Sequence, residues 1–322
     1  MSLAIEVRRT DDLSGEDPSR LCSLFQDTFG KAFPEELFSR KYTRAWPGYS
    51  YHALTRSDSG IVGAYSAIPY RYSFFGREMP FAIGVDLMLE SRFRGNVGTV
   101  RRMSDALYAC LADAGIVFVF GSAREDMFLF HQRVGGWREI GPVFYYIAPL
   151  RVPRVPGAAA LLRTLIRLAR LAAPGRGEGV PPPGICKIDD SLFEAYRYGI
   201  FPTEYRKIEV TGGQGIYTGR LYYEIPGIPK NIRVSLLVDV RPLSRVVFNE
   251  TVRAIMRCER NIDYLVYQGW LPFQPALMWR VPRGLERVHW YACGRILRPD
   301  MVDERIYDIR NWNLNLSNGD IV

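Results

Sequence analysis

The 322-residue sequence predicts an α/β protein built on a mixed sheet. Three observations carry that prediction. Apolar runs rich in β-formers alternate with stretches whose apolar residues recur at helical spacing. Glycine- and proline-containing turns separate them, as at Ser57–Gly60 and Phe75-Gly76-Arg77. A hydrophobic content of 48% against 24% charged is the balance of a chain that buries a core, and at this length two domains are expected.

Taken in order, Leu3–Arg9 reads as a strand and Asp17–Gly30 as a helix. Asp17 stands at its N-cap, Pro18 at its first position, Leu21, Leu24, Phe25 and Phe29 on one face, and Gly30 at its end. Pro34–Trp46 is a second helix, and Tyr51–Arg56 and Ile61–Phe75 are strands. The stretch that organises the rest is Phe81–Gly141. Phe81–Glu90 is a largely buried strand, and Ser91–Gly98 a short loop holding two arginines and two glycines. Thr99–Ala114 carries Val100, Met103, Leu107 and Leu111 at helical spacing and stops at Gly115. Ile116–Phe120 is a strand, Phe128–Val134 a short helix closed by Gly135-Gly136-Trp137, and Val143–Leu150 a further strand.

The remainder predicts a helix at Asp189–Tyr198, then strands near Gly215–Ile225 and Arg233–Val240. A helix at Pro242–Glu259 follows, with Val246, Val247, Val252, Ile255 and Met256 inward, then strands at Ile262–Gln268 and Val288–Leu297. The predicted division is 1–150 as one domain, 151–184 as a basic helix with Pro/Gly-rich flanks, and 185–322 as a second domain.

A strand that feeds a glycine-containing, arginine-flanked loop into a helix N-terminus is an anion cradle. Backbone N–H groups of the first helical turn have no intrahelical partner, and glycine lets a phosphate approach the backbone. Arg92, Arg94, Gly95, Asn96, Val97, Gly98 and Thr99 supply that chemistry, Arg92 and Arg94 as cations and Asn96 and Thr99 through their side chains. The bland alternative is a tight turn with solvated arginines. Asp86 lies inside the apolar run Gly84–Leu89, where an acid needs a partner or a raised pKa. It therefore reads either as a general base or as a satisfied buried acid. Glu90, four residues on and on the same face by period-two counting, is a second candidate base, or a neutraliser of Arg92 or Arg94.

This order of elements, with Arg94-Gly95-Asn96-Val97-Gly98-Thr99 in the loop and Gly-Gly-Trp after the last helix, resembles the GNAT acyltransferase superfamily. The loop is one residue longer than the usual Arg/Gln-x-x-Gly-x-Gly/Ala. The resemblance covers roughly residues 50–150. It implies that the loop holds the pyrophosphate of coenzyme A. It also implies that the sheet splays beside Leu87, Met88 and Leu89, whose backbone would polarise an acetyl-CoA thioester and pair with the pantetheine. Where such enzymes place a tyrosine acid, this chain has His131, with Gln132 as the adjacent alternative and a surface histidine as the plain reading. The repeated strand–helix–strand order in 185–322 resembles a second, degenerate GNAT-like half, whose turn Arg241-Pro242-Leu243-Ser244 has no glycine.

Charge and composition exclude other classes. Residues 1–150 carry 17 basic and 17 acidic side chains, so the net charge of +8 belongs to the remainder and argues against nucleic acid. Five dispersed cysteines without a CxxC, and three histidines, argue for a reducing cytoplasm and against a metal site. No run approaches the roughly 20 apolar residues of a membrane span, and no signal peptide is evident. The stretch 158–173 sets Arg163, Arg167 and Arg170 along one narrow arc; it reads as an inter-domain helix, or as a contact for a membrane surface or acidic partner. An excess of 37 arginines over five lysines suggests a bacterial source. The expected activity is acetyl-CoA-dependent N-acylation of a small-molecule amine. The alternatives are an aminoacyl transferase of the peptidoglycan-bridge type and a non-catalytic GNAT-like binding protein.

Overall fold

A computed structural model describes residues 3–150, 183–199, 203–219, 221–223 and 232–319, with Leu161 and Thr164. The arginine helix expected at 158–173 lies outside the described residues. The strands are β1 (Ala4–Arg9), β2 (Tyr51–Ser57), β3 (Gly60–Phe74), β4 (Arg77–Leu89), β5 (Phe118–Arg124), β6 (Arg138–Pro149) and β7 (Ile185–Lys187). They continue with β8 (Tyr205–Val210), β9 (Gly213–Thr218), β10 (Leu221–Tyr223), β11 (Ile232–Arg241), β12 (Tyr264–Gly269), β13 (Trp279–Arg280) and β14 (Trp290–Ile296). The helices are α1 (Asp17–Phe29), α2 (Glu35–Thr43), α3 (Val97–Asp113), α4 (Glu125–Gly135), α5 (Ser191–Gly199) and α6 (Arg245–Cys258).

The chain forms two units that do not follow a linear division. The first comprises Met1–Gly141, Gly184–Phe201 and Trp290–Ile309; the second comprises Pro142–Pro183, Pro202–His289 and Arg310–Val322. In the first, β1, β2, β3 and β4 pair antiparallel in sequence order, and β4 pairs parallel with β5. The outer neighbour of β5 is β14, drawn from residues 290–296 and antiparallel to it. In the second unit β11 and β12 are parallel, and the neighbour of β12 is β6, drawn from the first half of the sequence. Each unit thus completes its sheet with a strand from the other half of the chain. No local pattern encodes such an exchange, because pairing partners so far apart in the sequence leave no periodic signal.

The first unit's sheet is covered on both faces. Tyr51, Ala53, Tyr65, Ala67 and Ala82 pack with Met103, Leu107, Tyr108 and Leu111 of α3 on one face. Period-two alternation sends His52 and Ser66 to the opposite face, where Leu21 and Phe25 of α1 and Phe38 and Tyr42 of α2 meet them.

Most sequence-predicted elements recur with shifted ends, and caps explain the shifts. Helix α3 begins at Val97 rather than Thr99, because the Asn96 side chain accepts the Thr99 N–H at 3.1 Å. Helix α6 begins at Arg245 behind the Ser244 cap, which turns Val246 outward to 68% exposure, not inward as its spacing suggested. Helix α1 starts at Asp17, with Glu16 at the cap position and Gly30 closing it in the left-handed region at φ +68°.

In the second unit β11 and β12 stay paired only from Val234/Tyr264 to Leu237/Tyr267, and β11 then bulges at Val238 against β9. The C-terminal segment sits where the two strands part. Asn315 bridges to Gly269 at the end of β12, and its amide donates to Asp239 Oδ1 on β11 at 2.9 Å. Trp270 N–H donates to Leu314 O at 3.0 Å, and Trp312 is fully buried. A side chain at Gly269 would come 2.5 Å from Leu314 O, so glycine is required for this closure.

Candidate active site

Strands β4 and β5 pair only at Phe81/Phe118, Ala82/Val119 and Ile83/Phe120. Beyond Ile83 they part, and β4 runs on alone on that side to Leu89. Against β3, the register jumps from Ser66/Val85 to Ala64/Met88, so Asp86 and Leu87 together oppose Tyr65. This is a β-bulge, and Asp86 adopts φ +50° to make it. The bulge reverses the parity of backbone donors. Before it, Pro80 faces β5, accepting from Val117 N–H; after it, Glu90 faces β3, donating to Val62 O. Alternation counted back from Glu90 turns the N–H groups of Leu87 and Leu89 into the open fork.

The loop leads from the tip of that open edge into α3. A 3-10 turn, Ser91–Phe93, precedes Gly95, whose φ of +92° is one that L side chains rarely adopt. With α3 starting at Val97, Gly98 stands in its first turn, where backbone N–H groups have no intrahelical partner. No atom lies within 4 Å of a Cβ at Gly95, and only Asn96 Oδ1, at 3.5 Å, faces one at Gly98. Thr99 Oγ1 is buried without a hydrogen-bond partner. The two arginines divide. Arg92 holds Glu90 at 2.8 Å and Ser59 at 2.9 Å, while Arg94 Nε donates to Leu89 O at 3.1 Å, against the end of β4. The Asn96, Val97 and Thr99 N–H groups are taken by Phe93 O, Gly95 O and Asn96, which leaves Gly95 and Gly98 N–H, beside two arginines, as the turn's donors to a pyrophosphate.

His131, on α4, stacks on Trp137 at 4.7 Å between ring centres. Trp137 Nε1–H donates to Tyr108 Oη at 2.7 Å, and Tyr108 Oη lies 3.4 Å from Tyr65 Oη. The indole runs under the fork: it lies 3.2 Å from a Cβ at Gly84 and 3.5 Å from one at Gly121. Glycine at position 84 makes room for both Trp137 and Tyr65 Oη, the latter of which a Cβ there would meet at 2.6 Å. Burial pushes the His131 pKa down to about 4, so the imidazole is neutral at pH 7.

The two acids separate. Glu90 is held by Arg20 and Arg92, a bridge between α1 and the loop. Asp86 is 5% exposed; Lys41 Nζ donates to its Oδ2 at 2.7 Å and Tyr42 Oη donates to the same oxygen. The bulge is why the period-two count that grouped Asp86 with Glu90 does not carry across Leu87. His52 completes this buried polar cluster, with Ser66 Oγ and Thr10 Oγ1 each 2.9 Å from a ring nitrogen. Burial and the Lys41 charge push its pKa down to about 3. Lys41, Tyr65 and Tyr108 were not singled out by sequence, and Trp137 only as the aromatic that follows Gly135-Gly136. For Lys41 the signal was present: it stands three residues after Phe38 on the buried stripe of α2.

Among the described residues no three His, Cys, Asp or Glu side chains gather as a metal site, and no helix is long and apolar enough to cross a membrane. No protein-family model matches the chain, and no curated protein matches it in sequence. Solved structures do. A conserved protein of unknown function from Enterococcus faecalis V583, described as a probable N-acyltransferase, shares 14% identity at a TM-score of 0.55, covering 92% of this chain and 73% of that one. A GCN5-related N-acetyltransferase from Anabaena variabilis shares 12% at 0.56, covering 91% and 73%. Eis1 from Mycobacterium abscessus shares 12% at 0.52, covering 91% and 74%. The fold is that of the GCN5-related N-acetyltransferases. Within the GNAT fold, the parted β4–β5 pair and the turn entering α3 are the elements described above.

Proposed function

We propose that this protein is an N-acyltransferase that moves an acyl group, most simply acetyl, from coenzyme A to the amine of a small molecule. The observation that carries the reading is the open β4 edge running directly into the Gly95–Thr99 turn at the start of α3. One edge offers main-chain donors for a thioester and an amide-bearing arm; the turn offers donors for a pyrophosphate. Coenzyme A supplies the acyl group as an activated thioester. One of the Leu87 and Leu89 N–H groups, about 6.6 Å apart along the strand, holds the carbonyl oxygen as negative charge develops on it, and the other pairs with the amide-bearing arm, with Met88 between them shaping the edge. Arg94, Gly95, Asn96, Val97, Gly98 and Thr99 hold the pyrophosphate, and Arg92 adds positive charge at the rim. As the amine nitrogen bonds to the carbonyl carbon and the C–S bond breaks, the neutral His131 imidazole donates a hydrogen bond to the departing sulfur. The proton lost by the amine reaches the thiolate through solvent.

The second unit supports a single site per chain. It repeats strand, helix and parallel strand in β11, α6 and β12, and its central strand also bulges beside a buried acid, Asp239. There, however, Leu314 and Asn315 fill the fork, and the turn before α6 contains Pro242, which has no N–H to donate. We read it as a degenerate GNAT-like half. The cysteines, all free among the described residues, suit the cytoplasm.

Isothermal titration with acetyl-CoA, beside a Gly95→Asp/Gly98→Asp variant, tests the reading. Micromolar binding to one site per chain, lost in the variant, is the expected result. Absence of binding to the folded wild-type protein would overturn it.

A further inference from the structure

We infer that Lys41 is a positioning residue for the acyl-transfer site, acting through Asp86 to hold the β4 bulge open. The inference rests on the reading above and assigns to this side chain the job of aiming the thioester's hydrogen-bond donors. Asp86 is one of two non-glycine residues with positive φ among the described residues, and it sits at the one position of β4 where register to β3 is lost. A left-handed residue inside a strand persists only where its surroundings over-determine it. Here they do. The carboxylate is turned off the strand toward α2, where Lys41 Nζ and Tyr42 Oη both donate to Oδ2.

Lys41 is itself fixed. It is 1% exposed, its ammonium lies 5.4–5.8 Å from the ring centres of Phe25, Phe33 and Tyr42, and its carbonyl accepts from Tyr196 Oη at 3.1 Å. Separating a buried ammonium from a buried carboxylate is costly, so the pair is a stiff clamp. Release it, and Asp86 relaxes toward ordinary β geometry. The strand would then regain a single alternation, and the Leu87 and Leu89 N–H groups would exchange sides with those of Met88 and Glu90. The same clamp occupies the Asp86 carboxylate, which is why its role here is to hold backbone rather than to accept the substrate's proton.

Three variants separate this from a structural ion pair and from base catalysis. Lys41→Met/Asp86→Leu removes both charges, so that no lone ion remains in the core. It is expected to lower kcat for acetyl transfer about 100-fold, the cost of losing one oxyanion donor, while the dissociation constant of acyl-free coenzyme A stays within about twofold. Lys41→Met/Asp86→Gly replaces the clamp with a residue that adopts positive φ unaided, and is expected to recover kcat to within about tenfold of wild type. Asp86→Asn in the wild-type background, which keeps one side-chain oxygen able to accept from Lys41 and Tyr42 but removes the charge, is expected to fall between them. Three results would overturn the inference: full activity in the leucine double variant, an inactive glycine double variant that still folds and binds coenzyme A, or coenzyme A affinity falling in step with kcat. A wild-type protein that binds no coenzyme A would overturn the functional reading itself, and this inference with it.

Discussion

His131 shows how far one side chain can be argued from its neighbours. Stacked on Trp137 and pushed to a pKa of about 4 by burial, it is neutral across the physiological range. In the proposed reaction, a neutral donor to a sulfur that leaves as an anion should matter to turnover far more than to binding. His131→Ala is therefore expected to lower kcat about 100-fold, the usual cost of losing one hydrogen-bond donor to developing charge, with KM for acetyl-CoA changed less than about threefold. His131→Tyr, which restores a hydroxyl donor, should recover most of the loss where His131→Phe does not; steady-state kinetics on the three variants decides it. The histidine was legible because its distance from Gly135-Gly136-Trp137 is a sequence property. Its support was not: Trp137, Tyr108 and Tyr65 come from three different stretches of the chain, and only the folded sheet brings their polar atoms into line. Lys41 was hidden for a different reason, since a lysine in the segment Glu35–Thr43 reads as solvated until a buried partner is known.

At the scale of elements, the proposed function depends on where β4 stops being regular and where α3 starts. The second is fixed by Asn96, whose side chain takes the Thr99 N–H and thereby sets Gly98 inside the first turn. Asn96→Ala is expected to destabilise the protein by about 1 kcal/mol, the usual worth of such a cap, and to weaken coenzyme A binding, because the turn that presents the donors frays. Chemical denaturation read beside calorimetric titration checks both halves. Element type along 1–150 was readable because apolar spacing separates strand from helix there. The ends were less so, because a cap is a hydrogen bond and not a period. The bulge could not be counted at all: alternation assumes one residue per step, and Asp86 with Leu87 breaks that assumption at the position that matters most.

For the molecule as a whole, two consequences follow from how the first unit is assembled. Its β5 is covered by β14, from residues 290–296, so a fragment ending at residue 150 would strip the β14 pairing from that edge of Phe118–Arg124, beside an apolar sheet. That fragment is expected to aggregate or lack a cooperative thermal transition, whatever the local propensity of its segments; scanning calorimetry against the full chain tests it. The second consequence concerns acid. His52 and His131 have folded pKa values of about 3 and about 4 against 6.5 for an ordinary histidine, in both cases chiefly through burial. Between those limits the unfolded chain binds more protons than the folded one, so unfolding free energy rises with pH across that window. The stabilisation is whole above the ordinary value of 6.5 and drains away as pH falls toward about 4 and then about 3. A tenfold change in proton affinity is worth about 1.4 kcal/mol, so each histidine contributes about 3 to 5 kcal/mol over its full window. His52→Asn should flatten the acid limb more than His131→Gln, since its window reaches lower. The midpoint of urea unfolding, followed from about pH 7.5 to about pH 3, should fall for the wild type and fall less for either variant, the two variants parting only below about pH 4. Parallel curves for all three would show that neither imidazole is held neutral by the fold.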